Sequence, residues 1–194
     1  MASNNFTAIY DSNVLFPMIL RDLLMRMALT GLFKARWTQD IHDEWIRAVM
    51  TKEGHRPNVT EEGLRRCSKQ MDQAVLDALI EGHDIVSVNV DLPDKDDMHI
   101  VQAAVHGRAD VIVTFNEKDF PREQLQVLNI EVQHPDEFVA NLLDLSPMKV
   151  CHAAGTQRQS YHNPKLDKDD FFRRLEKVSM AKTVERLRQF QDVI

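Results

Sequence analysis

The chain is poor in glycine, with six in 194 residues, and holds neither GxGxxG nor GxxxxGK[ST]. A dinucleotide-binding turn and a P-loop are thereby excluded, because both need glycine where the backbone closes on a phosphate. Cysteine is scarce as well. Cys67 and Cys151 lie far apart and form no CxxC, so two reduced thiols in a cytoplasmic protein are expected. None of the eight histidines falls in HExxH or pairs with a cysteine at ligand spacing, so zinc chemistry is not expected. No apolar run approaches the ~18 residues of a membrane span, and no membrane partner is expected. Residues 1–5 carry neither a basic nor an apolar stretch, so no secretory leader is expected there.

Positive charge is also in deficit. The chain has 24 Lys+Arg against 30 Asp+Glu, a net of −6, which argues against a simple cationic nucleic-acid binder. The imbalance is uneven. Residues 1–144 hold 14 Lys+Arg and 24 Asp+Glu, a net of −10, whereas residues 145–194 hold 10 and 6, a net of +4. What remains is ordinary: 43% hydrophobic and 28% charged residues, in a chain long enough to bury a core without disulfides or structural metal.

Short β-prone runs alternate with helical periodicity through residue 144. Strands are expected at 7–10, 33–37, 85–88, 111–114 and 129–132. Helices are expected at about 14–29, 38–50, 60–80, 96–106 and 135–143. The runs are apolar without strict alternation, as in strands covered on both faces. The pattern predicts a three-layer α/β/α fold with a mainly parallel sheet of about five strands. From Ser146 the character changes: helices are expected near 147–158, 167–178 and 180–192, with no strand. Residues 1–144 thus read as one domain and 145–194 as a basic helical extension. Phe171, Leu175 and Val178, then Val184, Leu187 and Phe190, give its last two helices apolar stripes.

Four acids stand out by position. Asp11 follows the first strand, and Asp119 follows the strand expected at 111–114, at its carboxyl end. Ligands of open α/β sheets collect beyond such carboxyl ends. Glu44 lies on the same side of its helix as Ile41, Trp45 and Ala48, where a lone carboxylate faces a desolvation cost. Asp97 belongs to a run, Asp94, Asp96 and Asp97, that exceeds what helix capping needs. Singly, each has an ordinary reading as a cap, a turn residue or a solvated acid. Together they form a carboxylate set suited to hard divalent cations, Mg²⁺ or Mn²⁺, which support in-line phosphoryl displacement.

The stretches Tyr-Asp-Ser-Asn-Val-Leu at 10–15, Asp-Met-His-Ile-Val-Gln-Ala-Ala at 97–104 and Ala-Asp-Val-Ile-Val-Thr-Phe-Asn-Glu-Lys-Asp-Phe-Pro at 109–121, with Glu44 between, resemble the PIN domain. That family includes the VapC-like toxin ribonucleases. The resemblance covers about residues 6–143, and the last block is its most specific part. It implies strand order 3-2-1-4-5, which sets strands 1 and 4 side by side and brings Asp11 to Asp119. It also implies RNA cleavage dependent on Mg²⁺ or Mn²⁺, by a cytoplasmic toxin held by an antitoxin protein. Homodimers fall within what it admits. Asp11, Glu44, Asp97 and Asp119 match the acidic quartet as catalytic and metal-binding residues. Asn13, Thr114 and Asn116 match its polar supports, and Asp96 stands ready to share the role of Asp97. Many members carry Asp where this chain has Asn116. The chain also exceeds a small toxin of this type, and its extra helices resemble those of larger PIN toxins.

The alternative is a non-catalytic PIN-like module that binds RNA or protein, which the presence of all four acids disfavours. DNA cleavage would share the same chemistry. Lys165, Lys168, Arg173, Arg174 and Lys177 are candidates to hold RNA phosphates. A scaffolding role for the tail, with its charges simply solvated, is slightly favoured. His42 and His99 neighbour the acids, where an RNA contact is open to them, but read rather as surface or packing histidines; Met25 and Met27 read as core filler, and Arg65, Arg66 and Lys69 as a solvated face rather than an RNA contact.

Overall fold

The computed structural model describes residues 5–194. Most of the stretch read for a leader, residues 1–4, lies outside the described residues. In chain order the elements are β1 (Thr7–Tyr10), α1 (Ser12–Leu15), α2 (Met18–Ala28), β2 (Lys34–Thr38), α3 (Gln39–Glu53), α4 (Glu61–Ala74), β3 (Leu79–Ile80), α5 (Met98–His106) and β4 (Val111–Val113). Then follow α6 (Arg122–Val127), β5 (Glu131–Gln133), α7 (Pro135–Leu145), α8 (Pro147–Ser160), α9 (Lys168–Glu176) and α10 (Ala181–Arg188). The five strands form one parallel sheet in the order β3-β2-β1-β4-β5. In register, Ala8 faces Ala35 on one side and Val111 on the other. Every residue of β1 and β4 is buried, as a sheet covered on both faces requires.

Three sequence expectations are corrected. The first helical stretch is broken at Phe16-Pro17, because proline lacks an amide to donate and fits only at a helix start; Pro17 sits immediately before α2. The helix expected to reach Ile80 ends at Ala74, and Asp77 turns the chain at a left-handed φ of 61°. The third strand is Leu79–Ile80, paired with Trp37 and Thr38, rather than 85–88. Ile85 is 82% exposed in a 3₁₀ turn, and the Val86 carbonyl is taken by the Gln102 side chain of α5 at 2.8 Å. Apolar residues there line a connection that never reaches a strand edge. Smaller differences are α6, which was not expected, and the start of α5 at Met98 rather than 96.

The carboxy-terminal helices share the core of the sheet domain. Phe171, Leu175 and Leu187 are fully buried in the same apolar cluster as Ile9, Trp37 and Ile112. Gln157, also fully buried, donates to the Ile19 carbonyl at 2.7 Å, tying α8 to α2. Gly155 lets the chain end close on α8: a Cβ there would lie 3.1 Å from the Val193 carbonyl oxygen and 3.2 Å from the Ile194 Cα. Asp136, in the first turn of α7, accepts from the amides of Lys182 and Thr183 at 2.8 and 2.7 Å. One carboxylate thereby satisfies two otherwise unpaired donors at the start of α10.

Candidate metal centre

Asp11 is the fixed point of the site. It leaves β1 at the carboxyl end, where its own amide still bonds the Val113 carbonyl of β4, and it caps α1. It is 4% exposed. Its Oδ2 accepts from the Thr114 hydroxyl at 2.6 Å and the Asn13 side-chain amide at 2.6 Å. Thr114, fully buried just after β4, also accepts from Asn13 Nδ2 at 2.9 Å and from the Asn116 backbone amide at 3.0 Å. Asn13 Oδ1 accepts from the Phe115 amide at 3.1 Å. The adjacency of β1 and β4 therefore builds a closed hydrogen-bonded frame around one buried carboxylate. Asn116 joins that frame through its backbone, while its side chain is exposed. Burial pushes the Asp11 carboxyl above its usual range against the Thr114 and Asn13 hydrogen bonds, and the Glu44 charge pushes the same way.

Glu44 is half-buried on α3, and its Oε1 pairs with His99 Nε2 of α5 at 2.9 Å. Burial alone would raise its pKa, but the hydrogen bond and charge of His99 outweigh it and hold Glu44 below its usual value. His99 moves in the complementary direction: burial works to lower it, and the Glu44 bond and charge raise it. The Ser12 hydroxyl donates to Asp11 Oδ1 at 3.3 Å and also lies within bonding reach of Glu44. One hydroxyl proton serves one acceptor at a time.

Asp97 occupies the position before α5 yet makes no side-chain capping bond. Its carboxyl is pushed up to about 7, first by burial and then by the charges of Asp11, Asp94 and Asp119. Asp119 ends a 3₁₀ turn after β4 and is half-buried. Asp96 is exposed, with its amide bonded to the Asp94 side chain at 2.9 Å. The four acids thus act on one another electrostatically, through Glu44 on Asp11 and through Asp11 and Asp119 on Asp97. They are not drawn tightly together. Among the described residues, three ligand atoms come within 4.8 Å of one another in a single group, Asp40, His83 and His99. An all-carboxylate set, buried and crowded enough to push the Asp97 carboxyl up to about 7, is chemically matched to a hard divalent cation that keeps several waters.

The remaining candidates scatter. Lys165 and Lys177 are exposed. Lys168 is bonded to the Gln191 carbonyl, Arg173 to Asp170, and Arg174 stacks 5.8 Å over Tyr161. Arg65 pairs with Glu61 and Asp43, and Arg66 with Glu62, as a solvated face does. His42 is fully buried and bonded to Asp72 and Trp45, a packing histidine as expected. His99 departs from that reading. Its place in the first turn of α5, near Asp97, was visible, but its partner on α3 was not. Ser12 likewise gave no signal beyond following Asp11.

A parallel 3-2-1-4-5 sheet with acids beyond the carboxyl ends of the adjacent strands β1 and β4 defines a class of α/β proteins with a carboxylate centre. The PIN domain family model matches residues 7–118, more than half of the chain, and the chain belongs to that family. A second model, described as the VapC50 C-terminal domain, matches residues 135–189. The chain is also similar to "Putative ribonuclease VapC50" from Mycobacterium tuberculosis, at 49% identity over 49 residues, 25% of this chain. It spans 29% of that relative's length. No solved structure matches the chain. Among the described residues no helix is long and apolar enough to cross a membrane.

Proposed function

We propose that the protein is a divalent-metal-dependent endoribonuclease and the toxin of a toxin–antitoxin pair, residues 1–144 forming its nuclease domain and 145–194 its basic extension. The observation that carries this reading is the framed, buried Asp11 beside Asp97, whose carboxyl is pushed up to about 7 by burial and then by the charges of Asp11, Asp94 and Asp119. Such crowding is costly unless a cation offsets it. Asp11, Glu44, Asp97 and Asp119 would hold Mg²⁺ or Mn²⁺, which would supply charge for the phosphoryl group and lower the pKa of the attacking water.

The chain's own residues have separable tasks. Thr114 and Asn13 fix both rotation and charge of Asp11 by donating to the same oxygen. Glu44, kept ionised by His99, remains available at neutral pH. Asp97, unengaged as a cap, is free to exchange its proton for a cation. Lys165 and Lys177, both exposed, are tail cations that would meet RNA phosphates or an acidic antitoxin segment. An antitoxin partner and self-association both belong to this proposal and rest on the family resemblance alone.

The test is cleavage of a structured RNA with Mg²⁺, with excess EDTA, and by Asp11→Asn. Cleavage that stops in EDTA, returns with Mg²⁺ and is lost in a folded Asp11→Asn protein supports the assignment. RNA bound but never cut would favour the binding-module reading.

A further inference from the structure

Beside the quartet, and outside it, lies a second group of ligand atoms of different chemistry. Asp40 on α3, His83 in the 3₁₀ turn His83–Ile85 and His99 on α5 each bring one ligand atom within 4.8 Å of the other two. Their sequence separations, 43 and 16 residues, are why no ligand spacing announced them. Both imidazoles are held from one side. His83 Nε2 lies 3.0 Å from Asp40 Oδ2, and His99 Nε2 lies 2.9 Å from Glu44 Oε1. In both, the other nitrogen, Nδ1, is buried without a hydrogen-bond partner. His83 as a whole is 8% exposed.

Buried polar atoms left unpaired are rare in folded proteins, and each is destabilising. At His83 the nitrogen that faces Asp40 is Nε2, so an ion shared with Asp40 would be met there, with the ring proton on Nδ1; at His99 the carboxylate at Nε2 is Glu44, outside the three, so the unpartnered Nδ1 is left to meet the ion. Both rings would ligate as neutral imidazoles, and the Glu44 carboxylate behind His99 would orient that ring as a metal-bound histidine is oriented. Two imidazoles and a carboxylate suit a borderline transition-metal ion rather than Mg²⁺, which selects oxygen.

We propose that Asp40, His83 and His99 form a binding site for a transition-metal dication of the Zn²⁺, Co²⁺ or Ni²⁺ type, distinct from the Mg²⁺ or Mn²⁺ quartet. The site joins three segments that no strand pairing connects: α3, the turn at His83 and α5. Between the last two runs the connection 86–97, which carries Asp94, Asp96 and Asp97 and has no regular structure. An ion there clips that connection at both ends and fixes the approach of Asp97. It also sets a positive charge one side chain away from Glu44. Neither consequence requires that the quartet cleave RNA.

The test uses the full chain, stripped of metal, titrated with Co²⁺ and followed by its visible d–d absorption, then by displacement with Zn²⁺. A saturable band near one ion per chain is expected. Asp40→Asn, an exposed position that folding tolerates, should weaken Co²⁺ binding at least tenfold. His83→Ala should do so more strongly, and Asp11→Asn should leave the band intact. Zn²⁺ at about 100-fold over its Kd should raise the wild-type melting temperature by about 5 °C or more, and not that of Asp40→Asn. The proposal is overturned if no saturable band forms. It is equally overturned if the band survives Asp40→Asn and His83→Ala, or if Asp11→Asn abolishes it, since the ions then occupy the quartet. Mg²⁺-dependent cleavage of RNA is read separately, so either proposal can fail alone.

Discussion

The carboxyl end of β1 and the carboxy-terminal helical layer handle charge in opposite ways. At β1, carboxylates are drawn inward: Asp11 is buried in a frame of hydroxyl and amide donors, and burial and then crowding push the Asp97 carboxyl up to about 7. In the helical layer, apolar side chains go inward and charges stay outside. Phe171, Phe172 and Leu175 fill the core while Arg173 pairs with Asp170 and Arg188 lies near Asp169. The second arrangement stabilises, because apolar burial is favourable and exposed ion pairs cost little. The first works against folding, and its geometry persists because surrounding donors and the sheet over-determine it. A region organised against its own stability is where function is to be sought.

The sharpest way to break this comparison is a crossed pair of variants. Asp11→Asn should lower RNA cleavage by at least about 100-fold, the upper range for losing a mere supporting partner of a metal site, with little or no loss of stability. Phe171→Ala should do the reverse. It opens a cavity in the shared core and should cost about 3–5 kcal/mol, a fall of roughly 10 °C in melting temperature, while any protein that remains folded still cleaves. Equal effects of the two variants on both readouts would erase the distinction.

Next in size is Thr114→Val. It removes the donor to Asp11 Oδ2 and the acceptor for Asn13 and Asn116 in a fully buried position. A loss of about 1–3 kcal/mol in denaturant unfolding is expected, the cost of leaving such partners unsatisfied. The Asp11 carboxyl should also move further up, which carbon-detected titration of its side chain would show.

Asp97 gives a pH-dependent test. Its carboxyl, pushed up to about 7 when folded, titrates near ~3.9 when unfolded. The folded chain then holds the proton more tightly, so the associated stability is fully present below about pH 3.9 and lost as pH rises through about 7. In the metal-free protein, Asp97→Asn should therefore melt higher than wild type at about pH 8, with the gap closing toward about pH 4. A gap independent of pH would show that Asp97 is not crowded as described. The smallest effect should come from Lys165→Ala/Lys177→Ala. Stability should move by no more than about 0.5 kcal/mol. If these exposed cations meet phosphates, the salt dependence of RNA binding should flatten by about one unit for each lysine that no longer neutralises a phosphate.

Much of the architecture is legible in local chemistry. The Val111–Val113 run, the Gly107 helix stop and the Pro135 helix start each rest on signals that tertiary context did not override. The third strand shows where such reading stops. Ile85-Val86-Ser87-Val88 is as β-prone as a strand, yet Leu79 and Ile80 take the edge of β2, where the left-handed turn at Asp77 brings them beside Trp37 and Thr38. The site divides in the same way. Asp11 and Asp119 follow strands, and that placement is a local fact, whereas the partner of Glu44 lies on another helix.

The sequence by itself determined the class of the fold, the acids available to it and the scarcity of thiol ligands, because periodicity and composition act over a few residues at a time. Only the tertiary structure decided that Glu44 would meet His99 across two helices and that Asp40 and His83 would join His99. It also decided that the carboxy-terminal helices would share one core with the sheet. Those pairings depend on which strand edges and helix faces meet, a choice made by burial of the whole apolar surface at once, and no spacing along the chain records it.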